Sequence, residues 1–201
     1  MLLGLVIGFT LTGAPAMAIE EPKFTVSLHE GAFEIRDYQA AIAAEVTVTG
    51  DQKSAASKGF RLLAGYIFGG NTRHQSIAMT APVAQQQTGE KIAMTAPVTQ
   101  TPSDGAWVVR FTMPSGYSLE TLPEPNDSKI KLRTIAPARF AVIRFSGLAS
   151  KASVEAKTAE LDDFAKARYL DTIGPASLAQ YNPPWTLWFM RRNEVMIQLR
   201  A

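Results

Sequence analysis

The chain has 201 residues, 46% hydrophobic and 19% charged, the proportions of a folded globular protein with one good core or two small halves. Its 20 Lys and Arg against 18 Asp and Glu leave a net charge of +2 with no basic stripe, which argues against a nucleic-acid surface. There is no cysteine, so disulfides, thiolate metal sites and a cysteine nucleophile are excluded, and an iron would need His, Met, Tyr or carboxylate ligands.

Residues 1–18, MLLGLVIGFTLTGAPAMA, run apolar from Leu2 to Leu11 and end in Ala16-Met17-Ala18, the small-x-small pattern of a signal-peptide cleavage site. Cleavage after Ala18 and a periplasmic or secreted product are expected, although no Lys or Arg precedes Lys23. The alternative is an uncleaved membrane anchor, against which the apolar run is about half the ~20 residues a spanning helix needs. No later segment is long and apolar enough to span, so the mature chain, 19–201, is expected to be a single domain without a stable membrane span, and a monomer.

Residues 33–38, FEIRDY, alternate apolar and polar as a strand does, and residues 40–49 continue as a second strand that stops at Gly50. Residues 51–68 switch to a period of 3.6, with Ala56, Phe60, Leu63, Ala64 and Ile67 on one face and Lys53, Ser57, Lys58 and Arg61 opposite, an amphipathic helix closed by Gly69-Gly70-Asn71. IAMTAPV is then written twice, at 77–83 and 92–98, and each copy reads as a strand with Ile, Met and Ala inward and a Pro at its end. Trp107, Val109, Phe111 and Met113 alternate along a further strand, a Pro-rich loop covers 122–127, and a strand follows over 129–135. Residues 138–146 form a strand ending at Gly147, and residues 150–170 a helix with Val154, Leu161, Phe164 and Ala165 inward. Placing Gly50 on Gly147 aligns the two strand-Gly-helix units as degenerate copies. After the aromatic loop 181–188, residues 194–200 close the sheet with Val195, Ile197 and Leu199 on one face. The expectation is an α+β fold with a mainly antiparallel sheet and two helices against it.

The IAMTAPV motif, FEIRDY upstream, GYIFGGN at 65–71, PEPND at 123–127, IRFSG at 143–147, YNPPW at 181–185 and RRNEV at 191–195 together resemble the SOUL or haem-binding protein family over residues 20 to 200. The resemblance implies a distorted β-barrel of two pseudo-symmetric halves with two flanking helices, similar also to bacterial effector-binding domains. It further implies binding of haem or another tetrapyrrole, non-covalently, in a hydrophobic groove beside the first helix, by a carrier or buffer without catalytic activity. The alternatives are a generic small-molecule binding module of the effector-binding type and an enzyme acting on a tetrapyrrole or small cyclic substrate, with Glu194 or His74 as its acid or base.

Phe60, Ala64 and Ile67 are the candidate apolar wall of that groove, and Lys58 and Arg61 the candidate partners for porphyrin propionates; the competing reading packs the stripe on the sheet and leaves the cations solvated. Trp185 and Trp188 are candidates for the opposing wall or for a loop anchor. Some family members carry a His in the FEIRDY segment where this chain has Asp37, so the axial ligand is left to His74, which is otherwise a surface loop residue; His29 is read as solvated. Met79 and Met94 are thioether donors by type, but the alternation makes them core residues. Glu194, beside Arg191 and Arg192, reads more simply as an ion-pair lock than as a base. No metal site is expected, because two lone histidines do not supply four ligands.

Overall fold

A computed structural model describes residues 20–88, 106–182 and 185–200. Its elements in order are β1 (Phe24–Glu30), β2 (Phe33–Tyr38), β3 (Ala41–Thr49), α1 (Gln52–Ile67), β4 (Val83–Thr88), β5 (Ala106–Thr112), β6 (Lys131–Ile135), β7 (Ala138–Phe145), α2 (Lys151–Ala167), β8 (Thr172–Gln180) and β9 (Asn193–Leu199). The second IAMTAPV copy, with Met94, and residues 1–18 lie outside the described residues.

Both helices begin in the same way. Gly50 and Gly147 turn the chain out of β3 and β7 at φ +131° and +104°, a left-handed region that favours glycine. Asp51 then caps α1 by accepting the Ser54 N–H at 2.9 Å, and Ser150 caps α2 by accepting the Ser153 N–H at 3.2 Å. The repeat expected from aligning these glycines is therefore present, and it divides the molecule into two halves.

The strands form one sheet in the order β1-β2-β7-β9-β8-β4-β5-β3-β6, every neighbouring pair antiparallel. β1 and β6 are its edges, so the expected barrel is an open sheet among the described residues. Helix α1 packs on β3 and β5, over a core that includes Val46, Leu63, Tyr66, Val109 and Phe111. Helix α2 packs on β7 and β9, over a second core that includes Ile143, Leu161, Phe164, Val195 and Ile197. The halves meet at the β4–β8 ladder, where Val83 pairs with Gln180 and Gln85 with Leu178.

The α1 face differs from the sequence reading by about one residue. Its buried line is Ala55, Gly59, Leu63 and Tyr66, with Ala64 and Ile67 beside it, whereas Ala56 and Phe60 are only half-buried. Gly59 is the cause: a Cβ there would lie 2.5 Å from Val109 Cβ, so only glycine lets the helix sit this close to β5. Tyr66, counted on neither face, is buried because its hydroxyl donates to Pro123 O at 2.8 Å. In the first IAMTAPV copy Ile77 and Ala81 are buried and Met79 partly so, as the alternation predicts, but Thr80 is buried too, and before Pro82 the segment pairs, among the described residues, only through an isolated bridge from Thr80 to Glu20. The regular strand starts after Pro82 rather than ending at it.

Candidate ligand-binding site

Side chains two apart share a face of a sheet, so Val83 and Gln85 of β4, Leu178 and Gln180 of β8, and Asn193 and Val195 of β9 stand on the same side as both helices. Val195 is covered by α2, and the others lie between the two helices as the floor of a cleft with α1 on one side and α2 on the other. The cleft has two lobes. One, of about 700 Å³, runs along α1 past Lys53, Ala56, Phe60 and Arg61 to Lys151, Asn182 and Arg191. The other, of about 630 Å³, runs along α2 past Val154, Glu155 and Thr158 to Trp107 and Pro175. Asp51, Gln52, Gln85 and Lys151 line both.

The one-residue rotation of α1 makes the first lobe usable. Phe60 leaves the core line, meets Phe111 edge-on at 5.5 Å between ring centroids, and presents the rest of its ring to the cleft. Lys53, Arg61, Lys151 and Arg191 give this lobe a cationic rim over an apolar wall of Ala56, Phe60 and Val83. The floor is not wholly apolar. Gln85, only 4% exposed, donates through Nε2 to Gln52 O at 2.8 Å, and its Oε1 has no partner among the described residues. The Gln52 contact fixes the amide orientation, since a flip would set two acceptors against each other.

Of the residues singled out from the sequence, the cleft gathers Phe60 and Arg61. Lys58 is turned away, its Nζ donating to Thr49 O at 3.3 Å. Ala64 and Ile67 are buried beneath α1, in the position the competing reading gave them. Trp185 and Trp188 do not line either lobe; they are 83% and 60% exposed beyond the end of the cleft marked by Asn182 and Arg191. His74 is exposed in a left-handed turn (φ +49°) past the C-terminus of α1, while the lobe follows that helix only to Arg61. His29 is exposed on β1 and contacts Glu34 Oε1 at 3.0 Å. Neither lobe is lined by His, Met or Tyr, and no three metal-ligating side chains cluster among the described residues. Among the described residues the α1 lobe thus combines one apolar wall with a cationic rim and presents no imidazole, thioether or phenol.

The floor residues were missed by sequence reasoning: Gln85 because the IAMTAPV strand was read as ending at its Pro, and Leu178 and Gln180 because β8 was not recognised as a strand. Gly174 and Pro175 interrupt its pattern, and its pairing with β9 slips between Ile173 and Ser177.

Glu194 lies on the opposite face of β9, away from the cleft and fully buried. Arg36 donates to both of its oxygens, at 2.7 and 3.0 Å, Arg192 donates to Oε1 at 3.0 Å and the Tyr181 hydroxyl donates to Oε2 at 2.6 Å. Burial alone raises its pKa; hydrogen bonds from Arg36 and Tyr181 and the two cations outweigh that and hold it below the usual carboxylate range. The same site pushes the Tyr181 hydroxyl far up, chiefly through burial and the Glu194 charge. A carboxylate so lowered and so fully bonded is a lock and a poor base. Its partners are Arg36 and Arg192; Arg191 instead donates to Thr186 O at 2.8 Å.

Comparison with curated protein sequences gives no match. Among solved structures, the C-terminal domain of EcmrR superposes with a TM-score of 0.60 at 8% identity, over 84% of this chain and 97% of that one. A hydrolase encoded by lin2189 of Listeria innocua gives 0.56 at 14% identity, over 84% and 91%. An uncharacterized conserved protein of the same organism gives 0.59 at 11% identity, over 84% and 92%. At these identities the likeness is one of fold. The sequence itself is matched from residue 19 to 198, nearly its whole length, by the profile of the SOUL heme-binding proteins, and the chain belongs to that family.

Proposed function

We propose that this protein is an exported, non-catalytic tetrapyrrole carrier or buffer that holds haem or a related porphyrin in the α1 lobe of the cleft. The observation that carries the reading is the composition of that lobe: an apolar wall of Ala56, Phe60 and Val83 with the cations Lys53, Arg61, Lys151 and Arg191 at its rim. A porphyrin needs one apolar contact face and cations for its propionates, and Arg61 and Arg191 supply guanidinium forks suited to carboxylates. Family membership points to the same ligand class. Burying about 300 Å² of ring at ~25 cal/mol per Å² yields a gross ~7.5 kcal/mol, which association costs reduce, so affinity in the micromolar range requires the propionate–cation contacts as well. Ligation at iron is weak or absent in this reading, because no imidazole or thioether lines the lobe among the described residues. Glu194 supports the non-catalytic part, being committed to Arg36, Arg192 and Tyr181.

The test is a haem titration followed in the Soret band. Saturable binding is expected, weakened about tenfold in Phe60→Ser with Arg61→Ser, with the Soret position unchanged in His74→Ala. Absence of any Soret shift up to tens of micromolar haem refutes the ligand reading. An intact mass of the exported chain beginning at residue 19 supports the export reading, and a mass retaining residues 1–18 refutes it.

A further inference from the structure

The largest exposed apolar feature among the described residues is the turn that precedes β9. Within residues 185–190, Trp185 is 83% exposed, Leu187 58%, Trp188 60%, Phe189 55% and Met190 63%. Together they present several hundred Å² of apolar surface, at or above the largest patch a soluble monomer usually carries. A further apolar side chain, Leu148 at 61%, belongs to the neighbouring β7–α2 loop.

This turn is built to hold its side chains outward. Residues Trp188–Met190 form a 3-10 turn closed by the Met190 N–H on Leu187 O at 2.9 Å. Gly147 N–H donates to Trp188 O at 3.1 Å, Asn193 Nδ2 donates to Gly147 O at 3.0 Å, and Arg191 Nε donates to Thr186 O at 2.8 Å. The backbone is thus tied to β9 and to the β7–α2 loop, while the indoles, the Phe189 ring and the Met190 thioether are left without a core to enter.

We propose that this turn is a bilayer anchor, inserting its side chains at the headgroup boundary of a membrane that carries anionic lipid. The shape favours lipid: the feature is a convex turn, which deformable acyl chains can surround, whereas a protein partner needs a matching groove. Tryptophan suits the boundary, with an apolar body and an N–H for the wet side. The charge is complementary as well. No Asp or Glu occurs in residues 172–193, and of the nearby cations Arg191 and Lys151 border the turn, whereas Arg192 is ion-paired to Glu194 and Glu21. Arg191 follows the turn directly, and Lys151 shares the α1 lobe with it, so cations border the apolar tip on the side facing the cleft. Apolar insertion combined with adjacent cations is the combination that gives reversible binding to an anionic surface. Anchored in this way, the cleft end at Asn182 and Arg191 opens beside the lipid phase, where flat apolar molecules partition. The proposal does not depend on which ligand the cleft takes.

The experiment uses the full chain and vesicles of phosphatidylcholine with or without phosphatidylglycerol, some made with brominated acyl chains. Insertion predicts a blue shift of tryptophan emission and its quenching by the brominated lipid, stronger with phosphatidylglycerol and reduced by salt. Quenching is expected to persist in Trp107→Phe. Trp188→Ser with Phe189→Ser is expected to lower partitioning about tenfold, whereas Phe68→Ser, which alters an exposed ring at the end of α1, leaves it unchanged. Vesicle binding without quenching of Trp185 and Trp188, as the apolar residues 1–18 alone would produce, overturns the proposal. So does an absence of binding, or a blue shift that tracks protein concentration instead of lipid, which marks self-association. Haem binding without vesicle binding overturns only the anchor.

Discussion

Replacing Glu194 by Gln keeps the shape of the side chain and removes its charge. The carboxylate accepts two hydrogen bonds from Arg36 and one each from Arg192 and Tyr181. A carboxamide keeps one oxygen and turns an NH2 group toward donors, so about two charge-assisted bonds are lost, each worth about 1.5–3 kcal/mol. Arg36 is 2% exposed and cannot recover its solvation, although Glu34 Oε2 remains 2.5 Å from its Nε. Breaking a buried pair on one side costs about 3–5 kcal/mol, and the surviving Glu34 contact places this case toward the lower end. For a chain of this size that is a fall in melting temperature of roughly 10 °C, read by calorimetry or circular dichroism. The pH dependence carries the sign. The folded-state pKa of Glu194 is below its ordinary 4.5, so its contribution is present in full above that value and is lost as pH falls through the lower folded one. The gap between wild type and variant therefore narrows on acidification below about pH 4.5. Replacing both partners, Arg36→Met with Glu194→Met, is expected to restore part of the stability, because Arg36 is no longer left buried and unpaired, although Tyr181 loses its acceptor and Arg192 keeps only Glu21. A single variant melting within 2 °C of wild type, or a gap independent of pH, refutes the lock.

Gly59→Ala puts a methyl 2.5 Å from Val109 Cβ and Cγ2, and the overpacking is expected to outweigh the better helix propensity by about 1–2 kcal/mol in a thermal melt, with rescue by Val109→Ala in the same chain. Asn71→Ala is expected to cost about 2–3 kcal/mol in chemical denaturation. That side chain is fully buried, donates to Tyr66 O and Gln75 O, and accepts from the N–H groups of Arg73 and Gln75, whose amide exchange accelerates when it is removed.

The fold was legible wherever burial wrote a regular period. Strand β2 is the FEIRDY segment as read; α1 and α2 fall within a few residues of their expected bounds; and Val195, Ile197 and Leu199 face inward as their alternation predicts. Two signals were too weak. Strand β1 is an edge strand with mostly exposed side chains, so nothing in FTVSLHE had to alternate strictly. Strand β8 carries Gly174 and Pro175 at an irregular stretch of its pairing with β9. Losing β8 meant losing the floor of the cleft, and the site was consequently sought on α1 and the aromatic loop alone. On α1, a helical period identifies a stripe but not its rotation to within one residue. Gly59, an apparent weakness in a helix, sets that rotation by allowing contact with Val109, and so puts Phe60 in the cleft and Ile67 in the core.

The β4–β8 ladder joins Val83, Ala84, Gln85 and Gln86 to Gln180, Ala179, Leu178 and Ser177, and it is the shortest register in the sheet. On either side stands a half with its own helix and its own packed core. Close-packed cores resist deformation, whereas neighbouring strands of a sheet vary in twist. The two walls of the cleft belong to separate cores, so the separation of α1 and α2 follows the twist along these four residue pairs. Mechanically the molecule is a pair of packed halves, and the ladder of four residue pairs is the seam between the two walls of its cleft.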